Sequence, residues 1–163
     1  MSKYNFNEQD PRSVAAFAVA HLKRHKQFAL GTVGPDESPW VVCTALCVTP
    51  RFNFLWASRT DALHSIYIQT NPKVAICVCN ELEGVGDYGL YVRATARELR
   101  DPAEITQAID IRFTRQGQPL LPPEEFMGES PERFYLAETQ EVWVNDDRHI
   151  KTPVNLNAIR ALL

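Results

Sequence analysis

Residues 39–49, PWVVCTALCVT, decide the fold that we predict. β-Branched and apolar residues occupy both alternating sets of positions, which is typical of a strand covered on both faces. A short apolar segment lies on each side, at 28–33 before a Gly-Pro-Asp turn and at 52–57 after a Pro-Arg turn. Because tight turns join these consecutive segments, the pattern favours antiparallel hairpins over a parallel sheet.

Three further strands are predicted at 73–79, 88–99 and 134–144, which brings the total to six. The segment 88–99 alternates most regularly, since small and apolar residues occupy one face and polar residues the other. The inward set is Leu90, Val92, Ala94 and Ala96, and the outward set is Tyr91, Arg93, Thr95 and Arg97. The chain is therefore expected to be mainly β, as an antiparallel barrel or sandwich.

Helices are expected at three places that flank these strands. Asp10 and Pro11 begin a helix over 11–26, and Asp101 and Pro102 begin another after the fifth strand. A short helix carrying Leu63, Ile66 and Tyr67, with Thr60 and Asp61 as its cap, ends at Asn71-Pro72. Residues 117–131 contain four prolines and are predicted as a surface loop.

Length and composition indicate a single domain over 1–163, with 45% hydrophobic and 23% charged residues. Seventeen basic against twenty acidic residues give a net charge of −3, which argues against nucleic acid or an anionic membrane as a partner. The N-terminus shows no secretory signal, and the uncharged run 38–50 is too short to span a membrane. We therefore expect a cytoplasmic protein.

The cysteines and histidines are first considered as metal ligands. Cys43, Cys47, Cys77 and Cys79 lie in Val-rich strands, so small buried hydrophobic side chains are favoured over a four-thiolate zinc site. His21 and His25 lie among Lys and Arg and are expected at a solvated, basic helix end. No metal site is predicted.

The sequence lacks the motifs of a P-loop, a dinucleotide-binding helix start, a zinc protease or a serine hydrolase. Gly84 and Gly86 alone indicate a loop rather than a phosphate cradle. The segment after the third strand is more informative, because Ser58, Arg59 and Thr60 precede a helix N-terminus. Backbone N–H groups, hydroxyls and a guanidinium suit a phosphate dianion, although Ser and Thr also cap ordinary helices.

The order of segments resembles the FMN-binding split-barrel family related to pyridoxamine 5'-phosphate oxidase. The resemblance covers about residues 13–147 and rests on several moderate matches: FALGTV at 28–33, SPW at 38–40, FLWAS at 54–58, NPKVA at 71–75 and VWVND at 142–146. It implies a six-stranded, mostly antiparallel split barrel with flanking helices. It also implies FMN as the cofactor.

The resemblance also implies which residues hold the flavin. The phosphate maps to Ser58, Arg59, Thr60 and His64. The isoalloxazine maps along Val42, Cys43 and Thr44, with Trp143 also counted among the cofactor-binding residues, and a partner subunit closes the site.

Charge decides which of the phosphate residues should matter most. Arg59 is expected to be the main anchor of the phosphate, with Arg93 or Arg97 of a partner subunit as the competing anchor. The family often has Lys where this chain has His64, so FMN affinity is expected to rise as pH falls from about 8 to 6.

The function implied is an FMN-dependent oxidoreductase acting on an unidentified small molecule. No catalytic side chain is assigned, because the flavin itself carries the hydride chemistry. The true oxidase has a C-terminal Arg-x-His segment that Arg148-His149 does not reproduce, so pyridoxamine phosphate is a poor substrate candidate. A module that stores, carries or senses flavin, haem or another planar ligand is the alternative, and a barrel with an empty flavin site is a third.

A homodimer with the flavin site at the subunit interface is expected as well. The outward face of the fifth strand is broad and partly aromatic, and Trp40 and Trp56 would add apolar surface that a small barrel leaves exposed.

Overall fold

The computed structural model describes residues 6–79, 89–145 and 150–163. The predicted glycine loop at 84–86 and Arg148-His149 lie outside these described residues. The elements in chain order are α1 Pro11–Arg24, β1 Gln27–Val33, β2 Pro39–Ala45, β3 Cys47–Val48, β4 Phe54–Arg59, α2 Leu63–Thr70, β5 Lys73–Cys79, β6 Gly89–Glu98, α3 Pro102–Gln116, a 3-10 turn Pro123–Phe126, β7 Glu132–Asn145, β8 Lys151–Pro153 and α4 Leu156–Arg160.

One antiparallel sheet forms the body of the molecule. Seven strands follow the order β2-β1-β5-β6-β7-β4-β3, and the three-residue β8 pairs with β7. This half-barrel with flanking helices confirms the predicted fold class. The strand count differs because the predicted strand 39–49 divides at Leu46 into β2 and β3, which lie at opposite ends of that order. No helix of the described residues is long and apolar enough to cross a membrane.

Local signals at the helix starts explain α1 and α3. The Asp10 side chain accepts a hydrogen bond from the Arg12 N–H, and Asp101 accepts bonds from the N–H groups of Ala103 and Glu104. The cap predicted for α2 is wrong. Its N-cap residue is Ala62, which makes no side-chain hydrogen bond there, because the Asp61 carboxylate binds a guanidinium instead.

The concave side of the sheet encloses the main core. Paired residues of antiparallel strands point to the same side, so Leu30 of β1 and Ile76 of β5 share that side with Val92 of β6. These three side chains are at most 2% exposed. Trp56 belongs to the same core, so the prediction that it adds exposed apolar surface is wrong.

A second core lies on the outer side of the sheet, under α3. Ile105 and Ile109 of α3 belong to one apolar cluster with Leu55 of β4 and Phe134 of β7. The helix therefore covers the β3-β4 end of the outer face. No described element covers the other end, formed by β2, β1, β5, β6 and the C-terminal half of β7.

This partial cover corrects the prediction for residues 39–49. Val41 of β2 faces the uncovered outer side and is 63% exposed. Trp40 pairs with the buried Thr32 and points to the opposite side, where it is 42% exposed because β2 is an edge strand of the sheet.

The burial of the cysteines and histidines also differs from the prediction. Only Cys47 is buried; Cys43 and Cys79 are exposed and Cys77 is half-buried, because alternate residues of β2 and β5 face outward. All four are free thiols, and the described residues contain no group of three or more potential metal ligands. His21 and His25 are buried rather than solvated, because the end of α1 packs on the sheet.

Candidate functional site

The uncovered part of the outer face is built from two rows of residues that cross the sheet. Strand pairing places the first row at Val41, Gly31, Ala75, Arg93 and Glu141. It places the second row at Cys43, Ala29, Cys77, Tyr91 and Trp143. In both rows β1 contributes only Ala or Gly, so the backbone there forms a shallow, flat floor.

Two cavities lie on this floor, with volumes of about 380 and 460 Å³. Gly31, Val41, Ala75 and Arg93 line both of them. The smaller cavity extends to Cys77, Tyr91, Trp143 and Lys151, and the larger one extends to Trp40 and Lys73. Each is mostly apolar with a few charged groups, as ligand sites commonly are.

Two aromatic rings on this face each make a cation–π contact with a basic side chain. The Arg93 guanidinium lies 5.2 Å from the ring centre of Trp143, and the Lys151 ammonium lies 4.5 Å from that of Tyr91. The Arg93 guanidinium also forms an ion pair with Glu141 at 3.1 Å, in which both side chains are more than half exposed. Cation–π contacts of this kind orient the rings and place positive charge beside an apolar floor.

The predicted phosphate residues lie elsewhere, where β4 leads into α2. Ser58 is hydrogen-bonded to His64, with 2.9 Å between the Ser58 Oγ and the His64 Nε2. His64 is 8% exposed, and this burial lowers its pKa. His64 is therefore mainly neutral at pH 7, where its ring completes the Ser58 contact without adding charge.

Arg59 points to Asp61 rather than into this pair. Its Nε and Nη2 donate to the Asp61 carboxylate at 2.9 and 2.7 Å, and both side chains are more than half exposed. This bidentate contact raises the pKa of Arg59 and lowers that of Asp61. The N–H of Thr60 donates to the Pro131 carbonyl at 2.8 Å, which fixes the turn before α2.

The N-terminus of α2 offers donors that a phosphate requires. The first N–H groups of a helix have no partner within the helix, and α2 has no side-chain cap for them. In the first turn, the Ser65 hydroxyl is fully buried beside the Tyr135 phenol, and neither oxygen has a hydrogen bond of ordinary geometry. Burial raises the pKa of Tyr135, and the nearby Ser65 hydroxyl opposes that shift. The donor set of hydroxyls, N–H groups and one guanidinium fits a phosphate monoester.

The structure brings together some of the predicted site residues and separates others. Val42 pairs with the buried Leu30 and faces the barrel, as does Thr44 through its pairing with Phe28, whereas Cys43 faces outward. The three consecutive residues therefore do not line one surface. Cys43 instead shares its row with Trp143.

Ala29, Gly31, Ala75 and Lys151 were not among the residues that the sequence analysis predicted for the site. A signal for the floor is present, since small residues recur at every second position in β1 and β5, as Ala29 and Gly31 and as Ala75 and Cys77. Lys151 lies in β8, which is too short to show a periodic pattern.

Solved structures with a similar fold are numerous, at low sequence identity. The heme storage protein HutZ from Vibrio cholerae is 15% identical with a TM-score of 0.66, covering 80% of this chain and 94% of that one. A heme binding protein from Mycobacterium smegmatis is 13% identical with a TM-score of 0.65; the match covers 94% of this chain but only 60% of that protein. A Clostridium acetobutylicum protein related to general stress protein 26, of the pyridoxinephosphate oxidase family, is 12% identical with a TM-score of 0.66, covering 91% and 98%. At these identities the likeness shows the fold.

The sequence itself shows the family. A comparison with curated proteins finds no significant match. The family model described as pyridoxamine 5'-phosphate oxidase matches residues 15–146, which include every strand from β1 to β7. The chain therefore belongs to the pyridoxamine 5'-phosphate oxidase family, with the split-barrel fold of that family.

Proposed function

We propose that this protein binds FMN between two copies of the chain and uses it to oxidise or reduce a small molecule. The observation that carries the proposal is the uncovered, small-residue floor of the outer face. A planar ring of flavin size requires a flat surface without protruding side chains, and Ala29, Gly31 and Ala75 provide one.

The rims of the floor supply the remaining contacts for the ring. Val41 lies on one side, and Tyr91 and Trp143 lie on the other. Aromatic side chains favour stacked or edge contacts with a flat ligand, and the cations above them favour electron-rich or anionic groups. These contacts orient a ring and leave the cavity above it for a substrate.

The phosphate fits the start of α2. Ser58 and the uncapped N–H groups of α2 donate to its oxygens, and Arg59 compensates its charge once it leaves Asp61. The Arg59–Asp61 contact is exposed, so water and salt weaken it and the guanidinium can change partners at low cost.

The positions of these groups support a second copy of the chain in the site. Neither outer-face cavity is lined by Ser58, Arg59, Thr60 or His64. In a homodimer, the outer face of one protomer can complete the site at the α2 end of its partner. The 63% exposed Val41 and the 42% exposed Trp40 then become interface residues.

When bound, FMN accepts or donates a hydride at its ring, and the protein supplies binding, orientation and exclusion of water. The floor holds the ring, Tyr91 and Trp143 limit its tilt, and Arg93 places a positive charge next to the cavity. This assignment requires no side-chain nucleophile.

Non-catalytic haem binding is the second candidate, because two proteins of this fold are described as binding or storing heme. The described histidines favour flavin over haem. His21, His25 and His64 are each at most 8% exposed and hydrogen-bonded within the protein, so none of these three presents a ring nitrogen to the outer face.

Titration of FMN into the purified protein, followed by quenching of flavin fluorescence, tests the proposal. Ala75 lines both cavities, so Ala75→Leu projects a larger side chain from their floor and is expected to weaken FMN binding about tenfold or more, whereas Ala103→Leu, the same change on an exposed position of α3, leaves it unchanged. Bleaching of the flavin by NADPH without oxygen, followed by substrate-dependent reoxidation, distinguishes an enzyme from a carrier. Equal FMN binding by both variants, or retained haem without FMN binding, would contradict the proposal.

A further inference from the structure

Two cysteines of β5 lie against each other on the outer face. Cys77 and Cys79 occupy alternate positions of the strand, so their side chains point to the same side. Their Sγ atoms are 3.0 Å apart, and both are free thiols. Cys79 is exposed and Cys77 is half-buried in the wall of the smaller cavity.

We propose that Cys77 and Cys79 are a redox modification site, at which a small disulfide such as oxidised glutathione converts the two thiols into a reversible intrachain disulfide. Two residues along an extended strand span about 6.6 Å between Cα atoms. A disulfide accepts Cα separations of about 4.4 to 6.8 Å but also requires Cβ atoms about 3.5 to 4.5 Å apart, so the strand must shorten locally for the two sulfurs to close from 3.0 Å to bond length. Bonds held at the edge of that range are easily reduced, which makes this one reversible rather than structural.

The fold leaves Cys77 no other described cysteine with which to pair within the chain. Cys43 shares its row but is separated from it by Ala29 of β1, so the two lie two strands apart, about 9.6 Å. That distance is too long for a disulfide without backbone movement. Cys47 is buried on the other part of the outer face, in the core under α3.

The exposure of the two thiols sets the order of the reaction. The Cys79 thiolate attacks one sulfur of oxidised glutathione, and the first glutathione thiolate leaves. The Cys77 thiol then loses its proton to solvent and its sulfur attacks the Cys79 Sγ, which releases the second glutathione thiolate. Two protein thiols are oxidised and one glutathione disulfide is reduced to two thiols, so the electrons balance.

Electrostatics agree with Cys77 as the second thiol. Burial, together with the neighbouring Cys79 thiol, raises the pKa of Cys77 to about 12, against which Lys151 acts only weakly. A thiol with so high a pKa is a poor first nucleophile at neutral pH, but it reacts once Cys79 holds a leaving group beside it.

The backbone between the cysteines is firmly held. The carbonyl of Val78 is hydrogen-bonded to the His21 side chain at 2.9 Å, and Val78 pairs with Leu90 of β6. Because the strand resists shortening, the disulfide stays strained and returns to thiols when glutathione is reduced. Formation of the disulfide depends on these contacts and requires no FMN.

Trypsin gives a direct test with an internal control. Cleavage after Lys and Arg places Cys77 and Cys79 in peptide 74–93, and Cys43 and Cys47 in peptide 27–51. The reduced full-length protein is equilibrated with oxidised glutathione, quenched with acid, labelled with N-ethylmaleimide and digested. We expect peptide 74–93 to be lighter by two hydrogens and unlabelled, and to recover two labels after reduced glutathione is added. Two labels retained on 74–93, or a glutathione adduct as its stable product, would overturn the proposal.

Two conservative variants test the order of attack. Cys77→Ser is expected to accumulate a glutathione adduct at Cys79, and Cys79→Ser is expected to form its adduct at Cys77 several-fold more slowly, because Cys77 is half-buried. Circular dichroism checks that both variants are folded. Adducts formed at equal rates would overturn the assignment of Cys79 as the first thiol.

Discussion

Acid should destabilise this protein through His21, a side chain 5% exposed at the end of α1. Burial lowers its pKa from 6.5 to about 4, and the repulsion from His25 and Arg24 adds to that effect, while the hydrogen bond to the Val78 carbonyl opposes it. The unfolded chain therefore binds a proton more readily than the folded protein between these two pH values. The contribution of neutral His21 to the free energy of unfolding is therefore full above pH 6.5 and is lost as the pH falls toward 4.

The two pKa values give the size of the effect. Between pH 7 and pH 5, His21 alone is expected to lower the free energy of unfolding by about 2 kcal/mol. For a chain of 163 residues this corresponds to a fall in Tm of about 4 to 8 °C. Thermal unfolding followed by circular dichroism at intervals between pH 5 and 7.5 measures it.

Two variants separate the titration from the hydrogen bond. His21→Gln keeps a donor for the Val78 carbonyl but does not titrate. Between pH 7 and pH 5, its Tm should therefore fall about 4 to 8 °C less than that of the wild type. His21→Leu should lose the same pH dependence but be less stable than His21→Gln at every pH, because the Val78 carbonyl has lost its donor. Wild type and His21→Gln curves that run parallel from pH 7.5 to 5 would refute the reasoning.

Four further predictions concern the proposed FMN site and interface. Arg59→Ala should weaken FMN binding about tenfold more than Ser58→Ala in fluorescence titrations, because it removes a charge as well as hydrogen bonds; equal losses would speak against it. Asp61→Asn should tighten binding several-fold, since it frees the guanidinium; unchanged affinity would contradict this. Burial lowers the pKa of His64, so FMN affinity should rise only as pH falls below about 6.5, and His64→Gln should abolish the rise. Val41→Asp should halve the mass measured by light scattering; an unchanged mass would exclude this face as the interface.

The sequence was sufficient where the signal was local. Asp10 and Asp101 each stand before a Pro and cap their helices as expected, because capping depends on a few neighbouring residues. The alternation in β6 also predicted correctly which residues face inward. α4 and β8 are five and three residues long, too short for either periodicity to show.

Burial was predicted less well because it depends on what lies across the fold. The sequence of β2 is apolar on both faces whether or not another layer covers it, so it did not reveal the uncovered outer face. His21 is solvated or buried according to the position of β5, which is distant in the chain. The resemblance grouped Val42, Cys43 and Thr44, but their side chains alternate between the two sides of β2.

The position of α3 has a consequence for how many copies of the chain can assemble. Among the described residues, the helix covers one end of the outer face and leaves the other end bare. In the proposed dimer each copy uses its own bare patch, so this patch is not available to a third copy. A chain without α3 would also expose Leu55 and Leu136. These residues would form a second apolar surface, through which further copies of the chain could associate. If the proposed dimer forms, α3 would therefore limit association through this face to pairs.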